Sequence, residues 1–341
     1  MKENAPTADL VRCLVRGRRR AQVVAAILRL GIPDALGEGT VRLADLAAAL
    51  GVGAARLRRP LRAARAVGLV EEGPRGCFRN TPASSLLRAG IPGSLRDEAC
   101  HMLSAWTRIA WEGLEHSVRT GGNGFVHATG RSVFEFLREH PDESAVFHAF
   151  QAEVARRNLP ALLAARCLPT EGTVVDVGGS GGALLTAMLE AAPDLSGTLF
   201  DLPEVIAGAS GASWPGLGGR LRLVAGDFFR EVPPGADAYV LSHILHDWPD
   251  DRAARILGRV AAAMAPASAV LVIENVRGAA GSSLPLAYLD VQMLAAWEGR
   301  ERTLDEYRGL LDRAGLALAD ARLVDERGGL TVLTAALQTS N

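Results

Sequence analysis

The chemistry in this chain concentrates where short apolar runs end. In Tyr239-Val-Leu-Ser-His-Ile-Leu-His-Asp-Trp-Pro-Asp250, His243 and His246 lie three positions apart, just past a run that reads as a buried strand. Two acids end or follow later segments: Glu274 in Leu271-Val-Ile-Glu-Asn275 and Glu301 in Gly299-Arg-Glu-Arg-Thr303. Carboxylates beside an imidazole fix its tautomer and raise its basicity. His246 is therefore a candidate general base with Glu274 and Glu301 as orienting partners, and His243 is read as structural.

A second constellation begins at Thr173-Val-Val-Asp-Val-Gly-Gly-Ser-Gly-Gly-Ala183. Val174, Val175 and Val177 suit a buried parallel strand, and Gly178, Gly179, Gly181 and Gly182 around Ser180 let the backbone turn and approach a ligand. Helical spacing resumes at Ala183, so the loop leads into a helix N-terminus with unpaired N–H groups. The spacing is not the dinucleotide fingerprint: counted from Gly179 and Gly181, the third glycine position is Leu184. Asp176 would repel a pyrophosphate and suits a cationic ligand bearing an amino group. S-adenosylmethionine carries both an ammonium and a sulfonium. Asp201, with Leu202 after it, ends the next strand and suits the two hydroxyls of a ribose. Asp227 and Phe228 follow the third strand, where a carboxylate and a ring can bond and pack an adenine. The structural alternative makes Asp227 a turn cap and Phe228 a core residue.

The elements that must position these residues can be read from the alternation of patterns. From residue 173 on, strands near 173–177, 197–201, 221–225, 237–242, 269–274, 320–325 and 330–337 alternate with helices near 182–191, 203–209, 251–265, 285–297 and 304–314. That is an α/β sheet, in which ligands collect beyond the carboxyl ends of the strands. Residues 1–100 read as helix, turn, helix, hairpin, the winged-helix order, with a Gly-Pro-Arg-Gly turn at Gly73–Gly76. Residues 101–168 continue as helices carrying Trp106, Phe134, Phe147 and other aromatics, interrupted by Thr120-Gly-Gly-Asn-Gly-Phe125, read as a flexible loop suited to a lid or crossover. The catalytic domain is placed at 169–341.

Composition narrows the class. A chain of 341 residues suits two domains, and 48% hydrophobic with 22% charged residues is globular and soluble. The net charge of −1 argues against a protein built mainly for nucleic acid. Arg56, Arg58, Arg59, Arg62 and Arg65 would serve phosphates if the winged helix bound DNA; a dimerisation or substrate-covering scaffold is the preferred reading. Cys13, Cys77, Cys100 and Cys167 form no C-x-x-C pair, so neither a zinc site nor a disulfide framework is expected, and a reducing cytosol fits. No signal peptide and no membrane-length apolar run is read. His101, His116, His127, His140 and His148 are scattered without metal-ligand spacing, and no metal is expected.

Taken together, Asp176-Val-Gly-Gly-Ser-Gly-Gly, Asp201-Leu-Pro, Gly226-Asp-Phe-Phe, Leu245-His-Asp-Trp-Pro-Asp, Ile273-Glu, Asp290-Val-Gln-Met-Leu and Glu301-Arg-Thr resemble the plant and bacterial small-molecule O-methyltransferases, over nearly the whole chain. Caffeic acid O-methyltransferase and the bacterial polyketide and anthracycline O-methyltransferases belong to that family. The resemblance implies a Rossmann-like seven-stranded methyltransferase sheet behind an N-terminal helical winged-helix dimerisation domain. It implies a homodimer whose N-terminal helices interlock, S-adenosylmethionine as cofactor, and a phenolic hydroxyl as acceptor. It implies His246 as proton acceptor flanked by Glu274 and Glu301, Gly178 to Gly182 as cofactor loop, Asp201 on the ribose, and Asp227 with Phe228 on the adenine. Two departures stand out. Ser180 replaces the family's middle glycine, a change suited to a negative φ. Ser242 stands where plant members carry a lysine. Asp290, Met293, Leu294 and Trp297 are expected to wall the substrate pocket with Met102, Trp106 or Phe147, a core role being the alternative for each. C- or N-methylation, or a homologue that binds the cofactor without transferring its methyl, are the alternatives, and a DNA-binding regulator is the least favoured.

Overall fold

The computed structural model describes residues 7–210, 214, 216–279 and 283–338. The chain divides into two compact units, 1–108 and 109–341. The helices of 109–168 therefore belong with the sheet.

In the first unit, helices Thr7–Arg29, Ile32–Leu36, Leu43–Ala49 and Ala54–Ala66 pack on a small antiparallel sheet. Its order is Val41–Arg42, Cys77–Asn80, Val70–Glu72, one strand more than the hairpin expected from sequence. The extra strand is two residues long, too short for a periodic signal. Helix Ala54–Ala66 buries Leu57, Leu61 and Ala64 at i, i+4 and i+7, so its arginines face outward, and Arg58 and Arg65 both pair with Glu72. Helix Thr7–Arg29 behaves differently along its length. Its C-terminal end buries Ala25, Ile27 and Leu28, whereas Leu10, Val11, Leu14 and Val15 near its start are 43–74% exposed.

The second unit is built on seven strands: β1 Glu171–Val177, β2 Asp194–Asp201, β3 Leu221–Ala225, β4 Ala238–Ser242, β5 Ala269–Asn275, β6 Leu316–Asp325 and β7 Leu330–Leu337. They lie in the order β3-β2-β1-β4-β5-β7-β6. The first five run parallel, and β7 is antiparallel to both its neighbours. The chain reverses its direction of winding between β1 and β4, so the loops after those strands diverge and leave a crevice. Successive strand residues enter opposite cores. Val175, Tyr239, Leu241, Val270 and Val272 pack toward helices α4 (Asp250–Ala263) and α6 (Leu304–Arg313). Val174, Ala238, Val240, Leu271 and Ile273 pack toward α1 (Pro141–Ala164), α2 (Ala183–Ala191) and α3 (Pro203–Ser210). Burial on both faces explains why the strands read as continuous apolar runs. Helix α5 (Leu284–Ala296) precedes the segment that carries Glu301.

The stretch read as a flexible loop at 120–125 is a tight turn. Gly121 ends one short helix in the left-handed region, Asn123 caps the next through the Val126 N–H, and its amide donates to the Ala296 carbonyl at 2.8 Å. Those bonds fix the turn against α5. Among the described residues, no helix is long and apolar enough to cross a membrane.

Candidate active site

His246 stands on a single 3-10 turn, Leu245–Asp247, directly after β4. The turn is held by Glu274 at the end of β5. One carboxylate oxygen accepts from the backbone N–H of Leu245 at 2.8 Å and of His246 at 3.3 Å. The other lies 3.5 Å from His246 Nδ1 and 3.9 Å from His243 Nδ1. Glu301 reaches the ring itself, with its Oε1 2.8 Å from His246 Nδ1. An ionised carboxylate can only accept, so Nδ1 carries the proton and the neutral ring's lone pair is on Nε2, 3.5 Å from Asp247. Both glutamates are fully buried. Glu301 is steadied by its own backbone N–H, which donates to Asp290 of α5 at 3.1 Å.

The next residue, Arg302, carries no sequence signal of its own and is completely buried. Its guanidinium donates to the carbonyls of Leu245 (2.7 Å) and Trp248 (2.6 Å) and to Asp250 (2.9 Å). It thereby ties both sides of His246 to the segment after α5 that bears Glu301. The two segments touch at Gly299, where a Cβ would overlap the His246 carbonyl and the Trp248 nitrogen.

Charge in this cluster is strongly coupled. Burial alone would lower the His246 pKa, but Glu274, Glu301 and Asp247 outweigh it and push it up to about 10. Burial raises Glu274 to about 7 and Asp247 to about 6, against the pull of the imidazole. The resulting direction is a tight grip of His246 on its proton, set by the carboxylates around it. His243, Glu274 and His246 also bring three ligand-type atoms within 4.8 Å of one another.

On the other side of the crevice, the loop after β1 turns at Gly178 (φ 75°), Ser180 (φ 54°) and Gly182 (φ 77°). Ser180 thus takes the left-handed region and does not meet the condition, a negative φ, under which a serine suits this place. A Cβ at Gly178 would stand 2.7 Å from Ile244 and 3.3 Å from Phe228, and one at Gly179 would overlap Asp176 and Leu199. Glycine is needed at both places because the backbone runs this close. Asp201 accepts from the N–H of Ser180 (2.8 Å) and of Leu202 (2.7 Å), which orients its carboxylate at the strand end. Asp227 caps the turn after β3 through the Phe229 N–H, and Phe228 packs edge-on to Phe229 and Trp248.

A cavity opens between this loop and α1. Asp176, Ser242 and His243 line it, with His148, Gln151 and Asn158 from α1. Asp176 is buried with one carboxylate oxygen unpartnered, and burial, with help from Asp201, raises its pKa to about 7. His243, read from sequence as structural, takes φ 54° and turns a partnerless, buried Nε2 into this region; burial and His246 depress its pKa to about 3, so it is neutral. An unpaired buried carboxylate beside a backbone cradle fits an ammonium-bearing ligand such as S-adenosylmethionine. His148 was passed over among the scattered histidines because it has no spacing signal, and His243 was noted for its spacing to His246 but given a structural role.

The residues expected to wall the substrate pocket divide. Trp297 caps α5 and meets Phe134 (4.9 Å between ring centres) and Phe147 (6.4 Å), and Phe134 stacks on Trp248 at 6.0 Å. Met293 is buried within α5, and Asp290 serves Glu301. Trp106 and Met102 belong to the first unit, where Trp106 is fully buried edge-on to His101 and Met102 is 51% exposed.

Comparison with known proteins bears on this arrangement. Residues 111–317 match the O-methyltransferase domain and residues 13–90 the O-methyltransferase dimerisation domain. O-demethylpuromycin-O-methyltransferase of Streptomyces alboniger is 39% identical over 91% of this chain and 84% of its own length. The crystal structure of LaPhzM superposes with a TM-score of 0.90 at 33% identity, over 98% of this chain and all of that one. NcsB1, an O-methyltransferase from neocarzinostatin biosynthesis solved with S-adenosylmethionine and 2-hydroxy-5-methyl naphthoic acid, has a TM-score of 0.80 at 35% identity, covering 93% and 95%. On these matches the chain belongs to the O-methyltransferase family and is an enzyme that uses S-adenosylmethionine.

Proposed function

We propose that this O-methyltransferase acts on a phenolic hydroxyl of an aromatic natural-product intermediate, with His246 as general base. The observation that carries the reading is the hydrogen bond from His246 Nδ1 to the fully buried Glu301, which leaves Nε2 as the ring's accepting atom. A phenol has a pKa of about 10 and is mostly protonated at neutral pH. A positioned base contributes roughly 10²–10⁴ in rate, and alignment of the acceptor can contribute more.

When bound, S-adenosylmethionine supplies a methyl group on a sulfonium, already a good leaving group. Asp176 would hold its ammonium, Asp201 its ribose, and Asp227 with Phe228 its adenine, while Gly178, Gly179 and Gly182 let the backbone approach. Ser242 lines the same cavity. His246 takes the phenolic proton at Nε2, leaving an oxygen to which the sulfonium would give up its methyl group as its own S–C bond breaks and S-adenosylhomocysteine leaves. Positive charge held in the cavity would oppose an imidazolium and so lower the high pKa of His246. The rings of Phe147, Trp297, Phe134 and Trp248 give the region a planar, aromatic character that suits such an acceptor.

The protein is further proposed to act as a cytosolic homodimer joined through the first unit. The exposed Leu10, Val11, Leu14 and Val15 supply an apolar face on helix Thr7–Arg29, which runs into the matched dimerisation domain at residue 13. The test of the base is His246→Ala. Turnover with a panel of phenols should fall by about 10²-fold or more, while affinity for S-adenosylhomocysteine changes little. Near wild-type turnover would remove His246 from the chemistry. Mass spectrometry and NMR of the product distinguish O- from N- or C-methylation.

A further inference from the structure

We propose that His148 is a positioning residue that latches helix α1 onto the cofactor loop through Ser180. The proposal rests on reading Gly178 to Gly182 as that loop. Ser180 holds φ at 54°, a conformation glycine adopts without strain and serine does not. Its backbone N–H, bonded to Asp201, would serve equally well in a glycine. What the side chain adds is one contact: its hydroxyl lies 2.7 Å from His148 Nδ1. The partner is 32 residues away on a separate helix.

That helix forms a wall of the cavity. His148, Gln151, Ala152, Ala155, Asn158 and Leu162 recur at helical spacing and all line it. The latch ties the N-terminal half of this face to the loop. The same serine passes the constraint on, because its N–H aims one oxygen of Asp201. His148, Ser180 and Asp201 thus form a chain from helix to loop to strand end. Burial lowers the His148 pKa, so the ring is neutral and one ring nitrogen is free to accept. Which of the two groups donates follows from the tautomer.

The test separates binding from stability. Ser180→Gly, His148→Phe, the double variant and His148→Asn are compared by calorimetric titration with S-adenosylhomocysteine and by thermal melting of the free protein. Asn is the conservative variant because its amide can occupy the place of Nδ1. Ser180→Gly should melt no lower than wild type, since strain is relieved, yet bind about 3- to 10-fold more weakly, the effect of one hydrogen bond. His148→Phe should match it, and the double variant should be no weaker than either single variant. His148→Asn should recover most of the affinity. In turnover, KM for the cofactor should rise while kcat stays within about twofold. Wild-type affinity in both single variants, or losses that multiply in the double variant, overturns the latch. Asp201→Asn is measured beside them. If it alone loses affinity, only the latch falls; if it too binds normally, the loop reading falls with it.

Discussion

The sharpest perturbation of this site is Glu301→Gln, which keeps shape and removes charge. In the wild type, the buried carboxylate accepts from His246 Nδ1 at 2.8 Å. The amide can still accept through its oxygen, but the bond is no longer charge-assisted, and its NH2 group would select the opposite tautomer. A hydrogen bond to a charged group contributes about 1.5–3 kcal/mol. At 1.36 kcal/mol per decade, kcat should fall roughly 10- to 160-fold. The pH dependence provides a second reading. Glu301 is one of the charges that raise the His246 pKa toward 10. The base is inactive while protonated, so the acidic limb of the rate profile should move to lower pH in the variant. The deficit in rate should therefore be smaller at the acidic end than at the optimum. Stability has the opposite sign. A folded pKa above the unfolded value of about 6.5 stabilises fully below that pH and is lost as pH climbs toward 10. Glu301→Gln should thus be less stable than wild type at pH 6, with the gap narrowing at high pH. The assay is steady-state methyl transfer to a phenol from pH 6 to 9.5, with denaturant melts at each end. A loss under about threefold, or an acidic limb that stays in place, refutes the assignment of Glu301 to the ring.

Other expectations follow from the same geometry. Burial raises the Asp176 pKa to about 7, so a cationic ligand should bind better as pH rises from 6 to 8 and release a proton as it binds; Asp176→Asn should bind S-adenosylmethionine weakly and with no pH dependence, read by titration in buffers of different ionisation enthalpy. The asparagine variant should also be the more stable free protein at pH 8, because a buried acid with a raised pKa costs stability once the unfolded form ionises. Arg302→Met strips the donors from the Leu245 and Trp248 carbonyls and should cost roughly 1–3 kcal/mol for each in urea melts, with cofactor affinity retained; a loss below about 1 kcal/mol in total would make the clamp dispensable. Treatment with a strong chelator should leave turnover unchanged, because His246 Nδ1 is engaged by Glu301; activity lost and then restored by a divalent cation would reassign His243, His246 and Glu274 as ligands.

The sheet was legible because buried parallel strands carry β-branched runs that end on acids and glycines. Leu221–Ala225 and Leu330–Leu337 fall where the pattern puts them. Asp194–Asp201 and Leu316–Asp325 start three or four residues before the sequence reading, where Asp194, Ser196 and alternating alanines dilute the apolar signal. His246 and Glu274 were legible because strand ends on one side of such a sheet converge, whereas Glu301 follows helix α5 and not the strand end that the pattern suggested. What escaped was contact between distant segments. Nothing near His148 in sequence points to Ser180, and the backbone sign at Ser180 is set by its neighbours' turns. Asn123 sat in a glycine-rich stretch that composition alone assigns to a loop, and its bond to Ala296 spans 173 positions.

Two buried glutamates around one imidazole invite the question of why a single carboxylate is not enough. The contacts divide their work. Glu274 takes the backbone N–H groups of Leu245 and His246, so its charge is directed at the loop, and its distance to the ring nitrogen is 3.5 Å, beyond a good hydrogen bond. Glu301 takes the ring nitrogen and is itself aimed by Asp290. One acid sets where the imidazole stands, and the other sets which nitrogen carries the proton. The two acids come from different segments, Glu274 from β5 and Glu301 from the stretch after α5, so each meets a different side of the same turn. That arrangement works only if the segment bearing Glu301 lies flush against the His246 turn, which is why residue 299 has no side chain and Arg302 closes the seam from behind. The negative charge gathered for basicity also holds the proton tightly in the free enzyme. On the proposed reading of His246 as base, a cation entering the adjoining cavity would free that base, tying proton removal to the presence of the methyl donor.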